Sequence, residues 1–290
     1  MLAHLYISHD TFVFNGTDDI SQVNNKLLEF YDLLNRTREK EYKNDNKVFF
    51  VPEKFLETKM YEDGTTVSDI LCNYKKFGKD IFTVFQSIFK HCVKSCASID
   101  DMKEYLSLES EQECNGLLVL NVLKEYDRRV QIMSTVYDWY LFRRYFLAKY
   151  PKNENFFTDE LKKYYPKLEF HEELSYSIKD VVHTHPHKIV SSLTIIEKHL
   201  ISDYRDYKGD FVSFLKWFAG KYKFDDVSLE GTKDSKFMFH FRCGLEAYCE
   251  THLKMYSDDS KNQNCHCRIY FKKPDFQDTK VYVGSICTHL

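Results

Sequence analysis

The hydrophobic pattern of this chain changes its period near Val227, and that change limits the folds open to it. Over residues 237–241 every second residue is phenylalanine, which is typical of a strand. Upstream, four apolar residues recur at helical spacing: Ile189, Leu193, Ile196 and Leu200. The pattern predicts a helical segment that leads into a C-terminal sheet, with strands over 251–256, 267–272 and 280–286.

The first half of the chain mixes strand and helix signals. Strands are predicted over 5–8, 12–14 and 47–51, and helices over 19–40, 80–96 and 127–150. Further helices are predicted from Ser98, from 180 to 204 and after Asp210, where capping residues or Pro186 mark helix starts. The fold class predicted is α+β, with a mixed N-terminal half, a helical middle and a C-terminal antiparallel sheet backed by helices.

The length of 290 residues is that of about two domains. A polar segment over 151–155 and the pair Tyr165–Pro166 are candidate boundaries. We place the boundary at the second of these, which gives domains over residues 1–165 and 166–290.

Composition excludes several classes of protein. The net charge of −3 is not that of a purely electrostatic nucleic-acid binder. No apolar run reaches the roughly 20 residues of a spanning helix, and the N-terminus does not read as a signal peptide. Nine cysteines, an odd number, indicate reduced thiols rather than a disulfide framework. We therefore expect a cytoplasmic protein that does not associate with membranes.

Polar side chains collect on one face of the predicted C-terminal sheet. Because strand residues alternate between faces, His252 and Lys254 share a face, as do Arg268 and Tyr270. His289 follows the last predicted strand. An imidazole can move a proton to or from a hydroxyl near pH 7, and Lys and Arg can stabilise negative charge on phosphorus. This set of residue types suits chemistry on a phosphodiester.

Three motifs of this region resemble the metal-independent endoribonuclease toxins grouped around RelE, barnase and EndoU. The motifs are Thr251-His252-Leu253-Lys254, Arg268-Ile269-Tyr270-Phe271 and Gly284-x-Ile286-x-x-His289-Leu290. The resemblance covers about the last 70 residues. It implies a small antiparallel sheet with helices behind it, RNA as substrate, attack by the 2′-hydroxyl and no cofactor.

The resemblance also implies roles for the residues. His252 and His289 would act as acid and base, Lys254 and Arg268 would hold the phosphate, and Tyr270 would lie beside the base or the phosphate. The N-terminal domain would regulate the nuclease or select its RNA, and the protein would be a toxin or antiviral effector. A regulatory protein partner or a homo-oligomer is a further expectation.

Other interpretations remain open from sequence alone. A solvated sheet face shows the same alternation of charges, so the region could be a non-catalytic module that binds RNA or protein. Cys265-His266-Cys267 is a candidate metal site, although it lacks the paired spacing of a structural zinc site. The histidines 183, 185 and 187 are further candidate ligands, although a helix that begins at Pro186 would break their alternation. A metal-dependent nuclease is the third alternative.

Overall fold

The structure, a computed structural model, describes residues 2–12, 14, 20–38, 47–121, 130–231, 234–256 and 266–290. The helices are α1 (Ile20–Arg36), α2 (Val67–Cys72), α3 (Tyr74–Phe77), α4 (Lys79–His91), α5 (Ile99–Ser107), α6 (Val136–Lys149), α7 (Glu154–Tyr164), α8 (Leu174–Ile178), α9 (Pro186–Asp206) and α10 (Phe211–Tyr222). The strands are β1 (Leu2–Ile7), β2 (Lys47–Pro52), β3 (Val93–Ser95), β4 (Glu113–Leu118), β5 (Ile132–Met133), β6 (Leu168–Phe170), β7 (Asp226–Leu229), β8 (Met238–His240), β9 (Glu246–Tyr248), β10 (Thr251–Tyr256), β11 (His266–Phe271) and β12 (Val281–Cys287). This mixture of helices and sheets confirms the predicted α+β class.

The chain divides into two compact units, Met1–Phe142 and Arg143–Leu290. The division falls at Phe142 rather than at residue 165. The reason is that Phe157 and Leu161 of α7, together with Tyr165, lie in the same hydrophobic core as the C-terminal sheet.

The first unit is built on a parallel sheet in the order β3-β2-β1-β4-β5. This is the order of doubly wound α/β sheets, in which the strand order reverses between β1 and β4 although all strands stay parallel. Hydrogen bonds tie the ends of these two strands together. Ser8 N–H donates to the Leu118 carbonyl at 3.0 Å, and the Thr11 hydroxyl accepts from Leu120 N–H at 3.0 Å.

The second unit is built on a sheet in the order β6-β12-β11-β10-β7. Its pairings are antiparallel except for β6, which runs parallel to β12. One face of this sheet is apolar and belongs to a core with α9 and α10. The sheet contributes Leu253, Met255, Cys267, Ile269, Phe271, Val283 and Ile286 to that core. The helical stripes contribute Ile189, Leu193, Ile196 and Leu200 from α9 and Phe211, Phe214, Leu215 and Phe218 from α10, as their spacing predicts.

Buried ion pairs hold the helices of the second unit. Arg143 of α6 donates to the carboxylate of Glu160 of α7 at 2.7 Å, and both side chains are buried. Arg144 pairs with Glu197 of α9 in the same way. Removing one partner of such a pair would leave an uncompensated buried charge, which costs about 3–5 kcal/mol.

Four predicted elements differ from the structure. A strand is predicted over 12–14, but residues 9–12 form a 3₁₀ turn, because the Thr11 hydroxyl donates to the Ser8 carbonyl. Residue 13 lies outside the described residues. The helix predicted over 80–96 ends at His91, and Val93–Ser95 pairs with β2 instead. Ile132–Met133 pairs with β4, so the helix predicted from 127 begins at Val136. Pro186 starts the helix predicted from 180.

A two-stranded hairpin, β8–β9, covers part of the other face of the C-terminal sheet. Its side chains Phe237, Phe239 and Phe241 form a second cluster with Tyr270 and Cys287 of that sheet. Gly284 of β12 makes this close approach possible. A Cβ placed on Gly284 would lie 2.6 Å from a ring carbon of Phe239.

We expect Gly284→Ala to destabilise the protein by about 1–3 kcal/mol, because the added methyl group overpacks the contact with Phe239. The matched control is Gly220→Ala in α10, where an added Cβ meets nothing within 4 Å. That control should be neutral or more stable by up to about 1 kcal/mol. Urea unfolding of the three proteins measures both effects. Equal stabilities for the two variants would contradict this account of the hairpin contact.

Candidate active site

The strand register brings four of the five predicted site residues onto one face of the C-terminal sheet. His252 lies opposite Tyr270, and Lys254 lies opposite Arg268, across the β10–β11 pair. All four side chains lie on the face opposite the apolar core of α9 and α10. The predicted sharing of faces within each strand is therefore confirmed, and the pairing of β10 with β11 joins the two sets.

Lys254 and Arg268 place two positive charges next to each other. Residues directly opposite on antiparallel strands have Cβ atoms about 4.5–5.5 Å apart, and like charges there are unfavourable. Within the part of the chain that the structure describes, neither cation forms an ion pair. Lys254 Nζ lies 5.0 Å from the ring centroid of Tyr256, and Arg268 Nη1 is 3.5 Å from the Thr288 carbonyl oxygen. The Nε–H of Arg268 is buried and has no hydrogen-bond partner in that same part. Asp226 of β7 lies directly opposite Lys254 on its other side, but no ion pair joins the two side chains. Two adjacent cations that form no ion pair can take an anionic ligand.

His252 is held neutral by its surroundings. The side chain is buried, with 5% of the residue's surface exposed. Burial lowers the pKa of the His252 imidazole, the carboxylate of Glu230 raises it, and the positive charge of Arg268 lowers it. The sum is a pKa below the ordinary value for histidine. A neutral imidazole has a free nitrogen that can accept a proton.

Sequence reasoning missed two residues of this site, Ser228 and Glu230, both contributed by β7 and the residue after it. The Oγ of Ser228 lies 3.1 Å from Nε2 of His252, and Oε1 of Glu230 lies 3.6 Å from Nδ1 of the same ring. β7 pairs with β10 so that Ser228 is directly opposite His252. The alternation of Asp226, Ser228 and Glu230 in the sequence indicates that these polar side chains share one face of a strand. β7 has only four residues, however, and the sequence does not show which histidine they face.

Tyr270 is fully buried and packs beneath the β8–β9 hairpin. Its ring centroid lies 5.1 Å from that of His252. Its hydroxyl accepts a hydrogen bond from Leu290 N–H at 3.4 Å. Burial raises the pKa of the Tyr270 phenol, which therefore stays protonated at neutral pH. In this structure Tyr270 positions His252 and residues 288–290 rather than offering a surface to a ligand.

His289 lies just beyond β12 and is exposed. Its neighbours on either side are tied to the polar face. The Thr288 carbonyl accepts from Arg268, and Leu290 N–H donates to Tyr270. The backbone carbonyl of Leu290 also accepts from Lys236 Nζ at 3.3 Å. The segment that carries His289 therefore lies along the same face as Arg268 and Tyr270.

At the open end of this face, Tyr256 lies opposite His266 across the same strand pair. The two rings meet edge to face with centroids 4.9 Å apart. Burial lowers the pKa of the His266 imidazole, and the charges of Lys254 and Arg268 lower it further. An exposed tyrosine and a neutral imidazole beside two cations form a partly aromatic, partly cationic surface.

The candidate metal ligands are arranged as follows. His183 and His187 are exposed, whereas His185 is buried and its Nδ1 lies 2.8 Å from the Thr184 hydroxyl. His266 and Cys267 lie on opposite faces of β11, and Cys265 lies outside the described residues. In the described ranges, no three His, Cys, Asp or Glu side chains group as a metal site. Over those same ranges, no helix is long and apolar enough to span a membrane.

No family model, curated protein or solved structure matches this chain. The geometry of the polar face is thus the basis on which a function can be argued.

We expect the pKa of His252 to lie below the ordinary histidine value of about 6.5 and to fall further in Glu230→Gln, because the carboxylate favours the imidazolium. Proton titration of His252 by NMR measures both values. Since the unfolded chain then binds more protons than the folded one, this histidine should make the free energy of unfolding fall as pH drops below about 6.5.

The control for this titration is Glu246→Gln. Glu246 lies 3.0 Å from the ring of His240, a different histidine, so its removal should leave the pKa of His252 unchanged. A pKa for His252 at or above 6.5, or one that does not respond to Glu230→Gln, would contradict the electrostatic description.

Proposed function

We propose that the polar face of the C-terminal sheet binds RNA and cleaves it without a metal ion, by attack of the 2′-hydroxyl on the adjacent phosphate. The observation that carries this proposal is the pairing of two cations that form no ion pair among the described residues, Lys254 and Arg268, beside the buried and neutral His252. The resemblance to endoribonuclease toxins points to the same chemistry and to a toxin or antiviral effector that acts in the cytoplasm.

The phosphodiester is bound by the two cations. Arg268 presents donors in a planar fork suited to phosphate oxygens, and Lys254 adds a point charge. Both can stabilise the extra negative charge that develops when phosphorus becomes pentacoordinate. An anionic ligand also removes the repulsion between the two side chains.

The proton of the 2′-hydroxyl goes to His252. Its Nδ1 faces Glu230, and its Nε2 faces the half-buried Ser228, which is the side from which a ligand can approach. Since the imidazole is neutral at pH 7, Nε2 can accept the proton as the 2′-oxygen attacks. His289, exposed at the end of β12, supplies the proton to the leaving 5′-oxygen.

The aromatic end of the face suits a nucleobase. Single-stranded RNA is recognised largely by stacking of unpaired bases on Tyr, Phe or His rings. Tyr256 and His266 lie next to the two cations on the same strands. A base stacked there would place its own phosphate near Lys254 and Arg268.

A second candidate is a non-catalytic module that binds RNA or a protein partner with the same face. The burial of His252 and of Tyr270 favours this alternative, because a ligand then meets chiefly the two cations and the aromatic pair. The two candidates differ in the need for His252 and His289, which binding alone does not require.

For Lys254→Ala and Arg268→Ala, we expect the rate of RNA cleavage to fall by about 10²–10³, because each variant removes a cation that stabilises developing charge on the phosphate. Cleavage by the wild type should persist in EDTA and leave 2′,3′-cyclic phosphate ends. Gel assays on single-stranded RNA with end-group analysis measure both.

Lys280→Ala is the matched control for these variants. It removes one positive charge from the same unit, but Lys280 is paired with Glu169 of β6 at 2.9 Å, at the opposite edge of the sheet from β7. Its activity should equal that of the wild type. Full loss of cleavage in EDTA, or products with 5′-phosphate ends, would favour a metal-dependent nuclease instead.

We expect His289→Ala to lower the cleavage rate by about 10²–10⁴ while leaving the melting temperature unchanged, because the side chain is exposed and would act only as a proton donor. Thr288→Ala, which also truncates an exposed side chain on this segment, is the control and should cleave normally. RNA cleavage rates and melting curves provide the comparison. Normal cleavage by His289→Ala would remove His289 from the mechanism and leave the binding module as the better candidate.

A further inference from the structure

Ser228, His252 and Glu230 have the arrangement of a nucleophile, its base and the group that orients the base. The Ser228 hydroxyl oxygen lies 3.1 Å from His252 Nε2. On the other side of the ring, Glu230 Oε1 lies 3.6 Å from Nδ1. Hydroxyl and base are within hydrogen-bond reach, whereas the carboxylate is just beyond it, and Nδ1 has no hydrogen-bond partner among the described residues. Such contacts are often long without substrate and shorten in the complex.

Backbone pairing fixes this arrangement. Ser228 and His252 are directly opposite residues of β7 and β10, and Glu230 lies two residues after Ser228 on the same side of the sheet. Glu230 N–H also donates to the Glu250 carbonyl at 3.3 Å, which extends the strand pairing to the position of the carboxylate.

The charges around the ring determine its tautomer. A carboxylate facing Nδ1 favours a proton on that nitrogen, because a lone pair there would face negative charge. Nε2 is then the free nitrogen and can accept the hydrogen bond when the Ser228 proton points to it. The Ser228 hydroxyl also donates to Asp226 Oδ2 at 3.3 Å, a longer hydrogen bond to an exposed residue that competes for the same proton. The shorter contact, to Nε2, is the one that activates the hydroxyl.

Ser228 is more exposed than His252, which indicates different roles for the two side chains. His252 is 5% exposed, whereas Ser228 is half-buried at the edge of the sheet and within reach of solvent. A molecule bound on the polar face therefore meets the Ser228 hydroxyl before it meets the imidazole. This is the order in which an activated nucleophile and its base are arranged.

We propose that Ser228 is a nucleophile that attacks phosphodiesters, including those that have no neighbouring hydroxyl group. The Ser228 oxygen forms a bond to phosphorus while its proton passes to His252 Nε2. The bond from phosphorus to the leaving oxygen breaks, and that oxygen keeps the electron pair. When water later hydrolyses the phosphoserine ester, its oxygen bonds to phosphorus and stays there as a hydroxyl group, one proton of the water going to solvent. The bond from phosphorus to the Ser228 oxygen breaks, and the imidazolium, stabilised by Glu230, returns the proton to that oxygen.

The electrophile follows from the cations on the same face. Lys254 lies two residues from His252 on β10, and Arg268 lies opposite Lys254. Together the two cations form an anion site that suits a phosphodiester. In this respect the inference rests on the proposed function. It goes beyond that function because the attacking group belongs to the protein, so substrates without a 2′-hydroxyl also react.

The test uses bis(4-nitrophenyl) phosphate, a phosphodiester without any hydroxyl group, and the full chain in EDTA. We expect a burst of 4-nitrophenolate of about one equivalent per chain, since this leaving group needs no proton. Acid quenching and mass spectrometry should find a 4-nitrophenyl phosphate ester on Ser228. In Glu230→Gln the burst should slow by about 10²–10⁴ and its pH profile should shift to lower pH.

Ser228→Ala should show neither burst nor adduct, and Ser228→Thr, which keeps a hydroxyl, should retain a slower burst. The control is Ser235→Ala, an exposed serine of the same unit, which should form the adduct normally. The proposal is overturned if the wild type gives no burst and no adduct, if the adduct lies on another residue, or if Ser228→Ala releases nitrophenolate at the wild-type rate.

The RNA assay separates this inference from the proposed function. RNA cleavage to cyclic phosphate without any adduct would overturn the serine nucleophile and leave the ribonuclease standing. An adduct on Ser228 without RNA cleavage would support the serine nucleophile and overturn the proposed ribonuclease. Absence of both would show that the polar face does not perform phosphodiester chemistry.

Discussion

The pairing of β10 with β7 on one side and with β11 on the other is the constraint on which the candidate site depends. It sets His252 opposite both Ser228 and Tyr270, and Lys254 opposite Arg268. A slip of one residue would turn every polar side chain of β10 into the apolar core of α9 and α10. The burial of Leu253 and Met255 therefore determines the geometry of the groups on the opposite face. The hydrophobic core and the site are two consequences of one register.

The segments that cover part of the polar face change the charge state of His252. The β8–β9 hairpin and residues 288–290 remove Tyr270 from solvent, and His252 beside it becomes nearly inaccessible. Loss of water disfavours the imidazolium, so the ring is neutral where an exposed histidine would be partly charged. Glu230 opposes that effect without reversing it. The same cover thus keeps the imidazole of His252 both buried and neutral.

The sequence allowed prediction of the faces but not of their surroundings. Alternation alone correctly grouped His252 with Lys254 and Arg268 with Tyr270, because a strand has only two faces. It could not identify Ser228 and Glu230 as neighbours of His252, since that contact depends on pairing between segments more than twenty residues apart. Nor does periodicity show that a hairpin covers Tyr270. The parallel order of the first sheet was likewise not predicted. No strand was predicted over β4, and β3 and β5, two or three residues long, lie within the ranges predicted as helices.

The energetic cost of the polar face is itself an argument for a ligand. Two adjacent cations on neighbouring strands repel each other, and the buried Nε–H of Arg268 has no hydrogen-bond partner among the described residues. The same sheet satisfies its cations elsewhere: Lys272, four residues after Arg268, lies 2.7 Å from Asp278. Lys272 shows that this fold can place a lysine in an ion pair with a carboxylate. At Lys254, Asp226 lies opposite on β7 without forming an ion pair, and an anion bound beside Arg268 would supply the acceptor that its Nε–H lacks among the described residues.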